Sequence, residues 1–257
     1  MQTGQRARRE PLADKVVAYL LDYTRRHRLA CGAPVPSEAS VSSTLNVSRG
    51  VVREAYRSLK GAGILDIANG RAPRLGRIDR RAVTAVLQHA LATQQATAAQ
   101  ILDVRRALEV RAAELAAVNR ADADVRALER EVEAMRRALS QRRRFVDADI
   151  RFHGVIGRAT GNPLYDLLSR ALRDVLSVTI RAGFDSPRSI PLRGAVVRLH
   201  AGIAGAIAAR RPAEARRLMQ EHFDAVRTFI IDADEPPLSV EPGAGRRRAR
   251  IRRSASG

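Results

Sequence analysis

Arg49 and Arg53 stand four residues apart in the run SRGVVREAYRSLK at 48–60, with Arg57 one turn further on. Guanidinium groups at that spacing share one face of a helix, and such a face suits phosphate and guanine contacts in a DNA major groove. Ser48 has the side chain of a helix N-cap, able to accept from a free amide of the first turn, and Gly50 sits beside Arg49 in that turn. Val51, Ala55 and Leu59 recur at four-residue intervals and form an apolar stripe, from which the three arginines fall away. The preceding PSEASVSSTLNV at 36–47 reads as a shorter helix capped by Ser37, buried through Val41 and Leu45, and turning at Asn46-Val47. Two helices so joined make a helix-turn-helix, whose second helix carries its first residues to base edges. Gly61 and Gly63 stop that helix, and Ile64-Leu65-Asp66-Ile67 then alternates into Asn69-Gly70, a strong two-residue hairpin signal, before Arg71, Pro73, Arg74 and Leu75. The expected product is a small basic β-hairpin wing. The candidate DNA-binding residues are Ser48, Arg49, Gly50, Arg53, Arg57, Asn69, Gly70 and Arg71.

A second constellation is Asp149, His153, His200 and His222. Asp149 and His153 are four apart, hence stacked on one helical face beside Ile150 and Ile156. His200 and His222 each lie eleven residues from Arg211, where two helices are expected to turn, so an antiparallel hairpin brings them to the same height. Three imidazoles and a carboxylate converging between helices could hold a divalent metal such as Zn²⁺, Ni²⁺ or Mn²⁺, with positions left for water or a ligand. The same residues could also be ordinary hydrogen-bonded core side chains, the reading that His27 and His89 take. Arg105 projects from an apolar stripe of Ile101, Leu102, Leu108 and Ala112. A buried cation needs an anion, which is either Glu109 one turn on or the carboxylate of a bound ligand, and Glu109 could orient Arg105 for the second case.

The elements that must position these groups are mostly helical. A first helix at about 12–27 presents Val16, Val17, Leu20 and Leu21 to the core of a winged domain, and Gly32-Ala33-Pro34 breaks the chain after it. Beyond residue 80 no strand signal recurs, and helical periodicity spans about 82–93, 98–119, 122–139, 142–160, 163–181, 190–210 and 212–231. The fold expected is mostly α, with an N-terminal winged helix-turn-helix domain and a C-terminal all-α antiparallel bundle of about seven helices. The expected domains are a disordered 1–10, the DNA-binding domain at 11–78, an effector-binding and dimerisation domain at 79–232, and a disordered basic tail at 233–257.

Aromatic residues are 4% of the chain and Trp is absent, so its cores must be built from Leu, Val, Ile and Ala. The formal net charge of +19 suggests a polyanionic partner, although all basic residues but Lys15 and Lys60 are arginine, a bias that GC-rich coding alone would produce. Position is therefore the better argument than total charge. Cys31 is the only cysteine, which excludes an intrachain disulfide and fits a reducing compartment. No stretch reads as a membrane span of about 20 apolar residues, and no signal peptide precedes Pro11, so the expectation is a cytoplasmic protein without a membrane partner.

SRGVVREAYRSLKGAGIL resembles the winged helix-turn-helix of the GntR family of bacterial transcription regulators. LDVRRALEVRAAELAA, DADIRFHGVIGRATGNPLYDLL and HAGIAGAIAARRPAEARRLMQEH resemble the FCD effector domain of its FadR subfamily. The resemblance covers roughly residues 12–231. It implies a homodimeric regulator, with repression the expected sign, that binds a palindromic double-stranded DNA operator and responds to a small organic acid. It also implies a metal held by Asp149, His153, His200 and His222, an effector pocket near Arg105, and a recurrent position at Asn162 in the Gly-Asn-Pro turn; Arg105, its neighbour Glu109 and Asn162 are the candidate effector-binding residues. Three positions depart from the pattern. Ala39 stands where an arginine usually follows Ser-Glu, Gly50 where threonine or serine usually adjoins Arg49, and Arg211 where an acidic residue is usual. Two other functions fit the four-ligand set: a metal-dependent hydrolase or lyase, and a metal sensor in which the ion is itself the signal. No further carboxylate, Lys or His accompanies the set as a general base, so the expectation is that the chain is not an enzyme.

Overall fold

The computed structural model describes residues 11–77, 79–183 and 189–231, so the N-terminal ten residues, Ile78, the break at 184–188 and the basic tail lie outside the described residues. Two apolar cores organise the described chain, one built from Val16 to Leu65 and the other from Ala98 to Val226.

The first core is assembled by three helices, α1 (Leu12–Arg26), α2 (Glu38–Leu45) and α3 (Arg49–Gly61). Ser37 caps α2 by accepting from the Ser40 amide, and Asn46 ends it in the left-handed region at φ 51°. Ser48 caps α3 by accepting from the Val51 amide. Burial on α3 falls on Val52, Ala55, Tyr56 and Leu59, so the apolar stripe is centred one residue later than Val51 suggests. Tyr56 explains the shift: its ring fills the core while its hydroxyl donates to the Pro36 carbonyl at 2.5 Å, tying α3 to the entry of α2. On α1, Val16 and Leu20 are buried, whereas Leu21 is 43% exposed and is not a core residue as its position in the stripe had predicted.

The wing is shorter than its sequence signal. Strands β1 (Leu65–Asp66) and β2 (Arg74–Leu75) pair antiparallel, Leu65 opposite Leu75 and Asp66 opposite Arg74. A two-residue Asn-Gly hairpin needs positive φ at both positions. Here Gly70 has φ 73° while Asn69 is not among the residues of positive φ, so residues 68–71 form a local turn within a longer loop. The missing pairing is recovered from the other side. Gly32, Ala33 and Val35 exchange backbone hydrogen bonds with Leu75 and Pro73, and Pro34 bridges Arg74, which makes the segment before α2 a third edge of the wing.

The second core is an all-helical bundle of α4 (Arg81–Ala92), α5 (Ala98–Asn119), α6 (Asp122–Arg137), α7 (Arg142–Ala159), α8 (Pro163–Gly183), α9 (Ser189–Ala208) and α10 (Pro212–Ile231). Helix α5 is central and packs against α7, α8, α9 and α10. Its buried face carries Ala98, Ala112, Ala113, Ala116 and Ala117, small side chains that let neighbouring backbones come close. Thr97 and Gln100 close a capping box at its start. Helix α9 is apolar enough, over Ile190–Ala208, to cross a membrane by length and composition alone, contrary to the sequence reading that no stretch is. Val196, Val197, Ile203, Ala206 and Ile207 are buried on it and it packs against α5, α6 and α10, which accounts for its composition as that of a core helix.

Helices α7 and α8 run antiparallel around the turn at Gly161. At the near end a Cβ placed on Gly157 would lie 3.0 Å from the Asp166 Cα, a spacing only glycine allows comfortably. Two turns further along, the same helix pair brings Asp149 to Arg173, whose Nη1 donates to Oδ2 at 2.7 Å. The helix spacing set at Gly157 therefore governs an ion pair farther along. Gly157→Ala should destabilise the bundle by about 1–3 kcal/mol through overpacking, measured as a lower midpoint in urea with an unchanged slope.

Candidate DNA-binding surface and metal centre

Ser48, Arg49, Gly50, Arg53 and Arg57 are all exposed on α3 or its cap, and Asn69, Gly70 and Arg71 are exposed in the wing loop. The side chains of Ser48, Arg49, Arg53, Arg57, Asn69 and Arg71, and the backbone at Gly50 and Gly70, are thus available to a polyanion. Arg53 is not free in direction, because its Nε donates to Glu38 Oε2 at 3.1 Å. Arg74, next to the wing loop, is committed to structure: its Nη1 donates to the Gly32 carbonyl at 2.7 Å.

Within the bundle, α7 supplies Asp149 and His153, α9 supplies His200 and α10 supplies His222, all buried. The structure brings the four together. One ring nitrogen from each histidine lies within 4.8 Å of those of the other two, and the ring centroids are 4.6–5.2 Å apart. His153 Nε2 and His200 Nε2 face each other at 3.2 Å, and Asp149 Oδ1 is 3.6 Å from the first and 3.5 Å from the second. Donors bound about 2.1 Å from one ion sit roughly 3 to 3.5 Å from each other, so Asp149, His153 and His200 stand close to the spacing a shared cation requires, with a His222 ring nitrogen within 4.8 Å of those of the other two histidines. Two facing imidazole lone pairs with a carboxylate beside them repel in the absence of a proton or cation between them. The donor set, three nitrogens and one oxygen without thiolate, suits a borderline divalent ion.

Protonation agrees with that chemistry. Burial pushes the His200 imidazole down to about 3, and burial together with His200 and His153 holds His222 well below the usual histidine range. Both are neutral ligands at pH 7. Burial alone would raise Asp149, but the Arg173 guanidinium and the two nearby histidines outweigh it and hold the carboxyl well below its usual range.

Arg105 is buried, and its Nε donates to Glu109 Oε1 at 2.7 Å. Its guanidinium also lies over the Phe223 ring, 5.1 Å from the centroid. The other oxygen of Glu109 touches His153 Nδ1. A carboxylate there fixes the proton on Nδ1 and leaves the Nε2 lone pair directed at the cluster, the usual support of a metal-bound histidine. The two sequence alternatives for Arg105 thus meet in one feature: an internal pair that also reaches the histidines. Asn162 is placed differently. It is exposed and caps α8, its Oδ1 accepting from the Leu164 amide at 3.0 Å, and it is not among the residues gathered around the histidines.

Arg173 was not legible as a site residue. It is buried on α8, donates to Asp149 and lies 3.6 Å from Glu109 Oε1 by its Nη2. The sequence signal that could have found it is the one that marked Arg105, an arginine in an apolar stripe, here flanked by Leu172, Leu176 and Ala171. The next residue, Asp174, accepts from Nε of Arg80 at the start of α4. One short segment of α8 therefore touches both the histidine cluster and the chain that leads back to the winged domain.

Comparison with known proteins adds the family. Residues 12–74 match the model of the bacterial regulatory proteins of the gntR family, and residues 100–225 match the FCD domain. The chain is 28% identical over 231 residues to the HTH-type transcriptional repressor NanR of Cronobacter sakazakii, covering 87% of this chain and 88% of that protein. It is 29% identical over 231 residues to the Glc operon transcriptional activator of Escherichia coli, covering 88% and 89%. A solved GntR structure from Streptococcus agalactiae shares the fold with a TM-score of 0.63 at 23% identity, over 84% of this chain and 99% of that one. These relatives are regulators and not enzymes, which sets aside the hydrolase or lyase alternative. With its helix-turn-helix and wing in the first match and its histidine cluster in the second, the chain belongs to the GntR family of bacterial transcription regulators, in the FadR subfamily whose effector domain is FCD.

Proposed function

We propose that the chain is a ligand-responsive transcription regulator, acting in the cytoplasm as a homodimer on a palindromic operator, with repression as its sign. Helix α3 and the wing loop bind the DNA, Ser48 and Arg49 at the start of α3 and Arg53 toward base edges, with Arg57 and Arg71 on phosphates. Asp149, His153, His200 and His222 hold a divalent ion, Zn²⁺, Ni²⁺ or Mn²⁺. When bound, that ion offers a Lewis-acidic position for an oxygen of a small organic acid. Arg105 supplies the positive charge beside it for the carboxylate. Glu109 takes the role of orienting Arg105 and His153 rather than that of contacting the acid.

The observation that supports this reading is the convergence of four side chains from three helices on one buried, donor-rich point. Relatives support the regulatory half, since one is named a repressor and another an activator. A ligand changes DNA affinity only through a difference in its affinity for two arrangements of the protein. Helix α8 is the candidate route between them: Arg173 holds Asp149, and its neighbour Asp174 holds Arg80. A shift of α8 in response to the cluster would move the start of α4.

The test is operator binding by purified protein with and without metal and a panel of hydroxy, keto and sugar acids. An active acid should shift operator affinity by about 1–3 kcal/mol, and Arg105→Met should abolish that shift while leaving DNA binding in the absence of acid intact. Saturating, calorimetrically verified acid that leaves the DNA dissociation constant unchanged would overturn the gating. A full response to the ion alone would instead mark a metal sensor.

The metal centre has its own signatures. After chelation, stability should fall as pH drops from about 6.5 toward 3, because unfolded chains take up protons that buried His200 and His222 refuse. Below the ordinary carboxylate range, Asp149 and Glu109 add a loss of the same sign. Urea unfolding across that range checks this, and His200→Gln should flatten the upper part of the curve. Metal at one hundred times its dissociation constant should add about 2.7 kcal/mol of stability, lost in His222→Ala.

A further inference from the structure

Glu38, the first residue of α2, lies outside the set of DNA-facing residues that the sequence pattern marks, yet it crosses to α3 and bonds Arg53. Both side chains are partly open to solvent, 62% for Arg53 and 38% for Glu38. An ion pair so exposed adds little to folding. Its physical effect is on direction: an unpaired arginine on a helix surface samples many rotamers, and this one is held at a single point.

The point of attachment matters. The bond uses Nε, on the inner edge of the guanidinium, so the Nη1 and Nη2 hydrogens are left for another partner. Two parallel N–H groups of that kind match O6 and N7 of guanine in the major groove. Glu38 is itself held firmly. Its preceding residue Ser37 caps α2, its backbone follows Pro36, whose carbonyl accepts from Tyr56, and a carboxylate in the first turn of a helix is favoured by the helix dipole. Arg53 and Tyr56 are three apart on α3, so one helix face grips the start of α2 twice. Arg49 and Arg57, the other arginines of that helix, have no carboxylate partner among the described residues. Ala39, exposed beside Glu38, provides no second basic group at this end of α2. A carboxylate at a DNA-facing surface otherwise opposes binding by repelling phosphate.

We infer that Glu38 is a positioning residue for sequence reading: it holds Arg53 by Nε and presents the Nη edge to one guanine of the operator. The inference rests on the proposed DNA-reading role of α3. The experiment starts from duplexes selected out of a random pool by the full-length wild-type protein, followed by anisotropy titration against single-base-pair variants and an unrelated duplex. Arg53→Ala identifies the base pair that Arg53 reads. Glu38→Ala should lose about tenfold of the discrimination at that same base pair, with binding to the unrelated duplex unchanged or tighter because a negative charge has gone. Glu38→Gln, which keeps an oxygen acceptor for Nε, should retain most of it, and adding Glu38→Ala to Arg53→Ala should change the discrimination at that base pair no further. Equal tightening on every duplex would make Glu38 a competitor for Arg53, and uniform weakening with a lower melting temperature would make it a structural residue; either overturns the inference. Wild-type protein that selects no sequence would overturn the reading role of α3 itself, whereas a selected site indifferent to Glu38 overturns only its positioning role.

Discussion

Four buried charged side chains and three imidazoles share one small region of the helical bundle, and the rest of that domain is arranged to make this tolerable. Arg105 and Arg173 face Glu109 and Asp149, so the island is neutral as a whole. Burying any one of these charges alone would cost several kcal/mol, and removing one partner of such a set typically costs about 3–5 kcal/mol because another is left unpaired. Helices α5, α7 and α8 are each held in rotation about their own axes by a member of the set. The alanine-rich face of α5 and the glycine at 157 follow from the same requirement, since charged groups can pair at 2.7 Å only when backbones approach closely. A neutral island also has a consequence for ligands. A divalent ion added to it leaves net positive charge in a dry place, and an anion is the natural complement.

The winged domain solves a different problem, that of presenting a basic helix without a large core. Its core is nine buried residues, and the three helices are bound together by polar ties at their ends: Ser37 and Ser48 as caps, Asn46 in the left-handed turn, Tyr56 onto Pro36. Those ties leave α3 with one face in the core and the other in solvent. The segment 32–35, laid against β2, joins the wing to the entrance of α2, so the wing loop and the reading helix share one support.

Much of this was written in local patterns. The ten helices among the described residues lie close to their periodic segments, since apolar spacing, capping serines and the glycine and proline breaks act within a few residues of each other. His200 and His222 could be placed at one height because two helices joined by a tight turn leave little freedom in their offset. The failures are equally local in cause. The wing turn differs from a two-residue hairpin because Asn-Gly permits, but does not compel, positive φ at both residues, and the segment 32–35 supplies the pairing that a tight hairpin would have provided. The buried stripe on α3 is centred one residue later than the spacing of Val51, Ala55 and Leu59 because Tyr56 is amphipathic and counts as neither wholly apolar nor polar in a periodic pattern.

The amino-acid sequence by itself determined the helices, their caps, the basic face of α3 and the residue types from which a metal centre can be made. It did so because those properties depend on neighbours three and four positions apart. Only the tertiary structure decided that Glu109 serves His153 as well as Arg105, that Arg173 completes the charge island, and that Glu38 holds Arg53. Such contacts join residues 15 to 64 positions apart, and each depends on how far two helices are rotated about their own axes, where one residue's difference is about 100° of turn. Packing selects that rotation, and with it the partner of every buried charge.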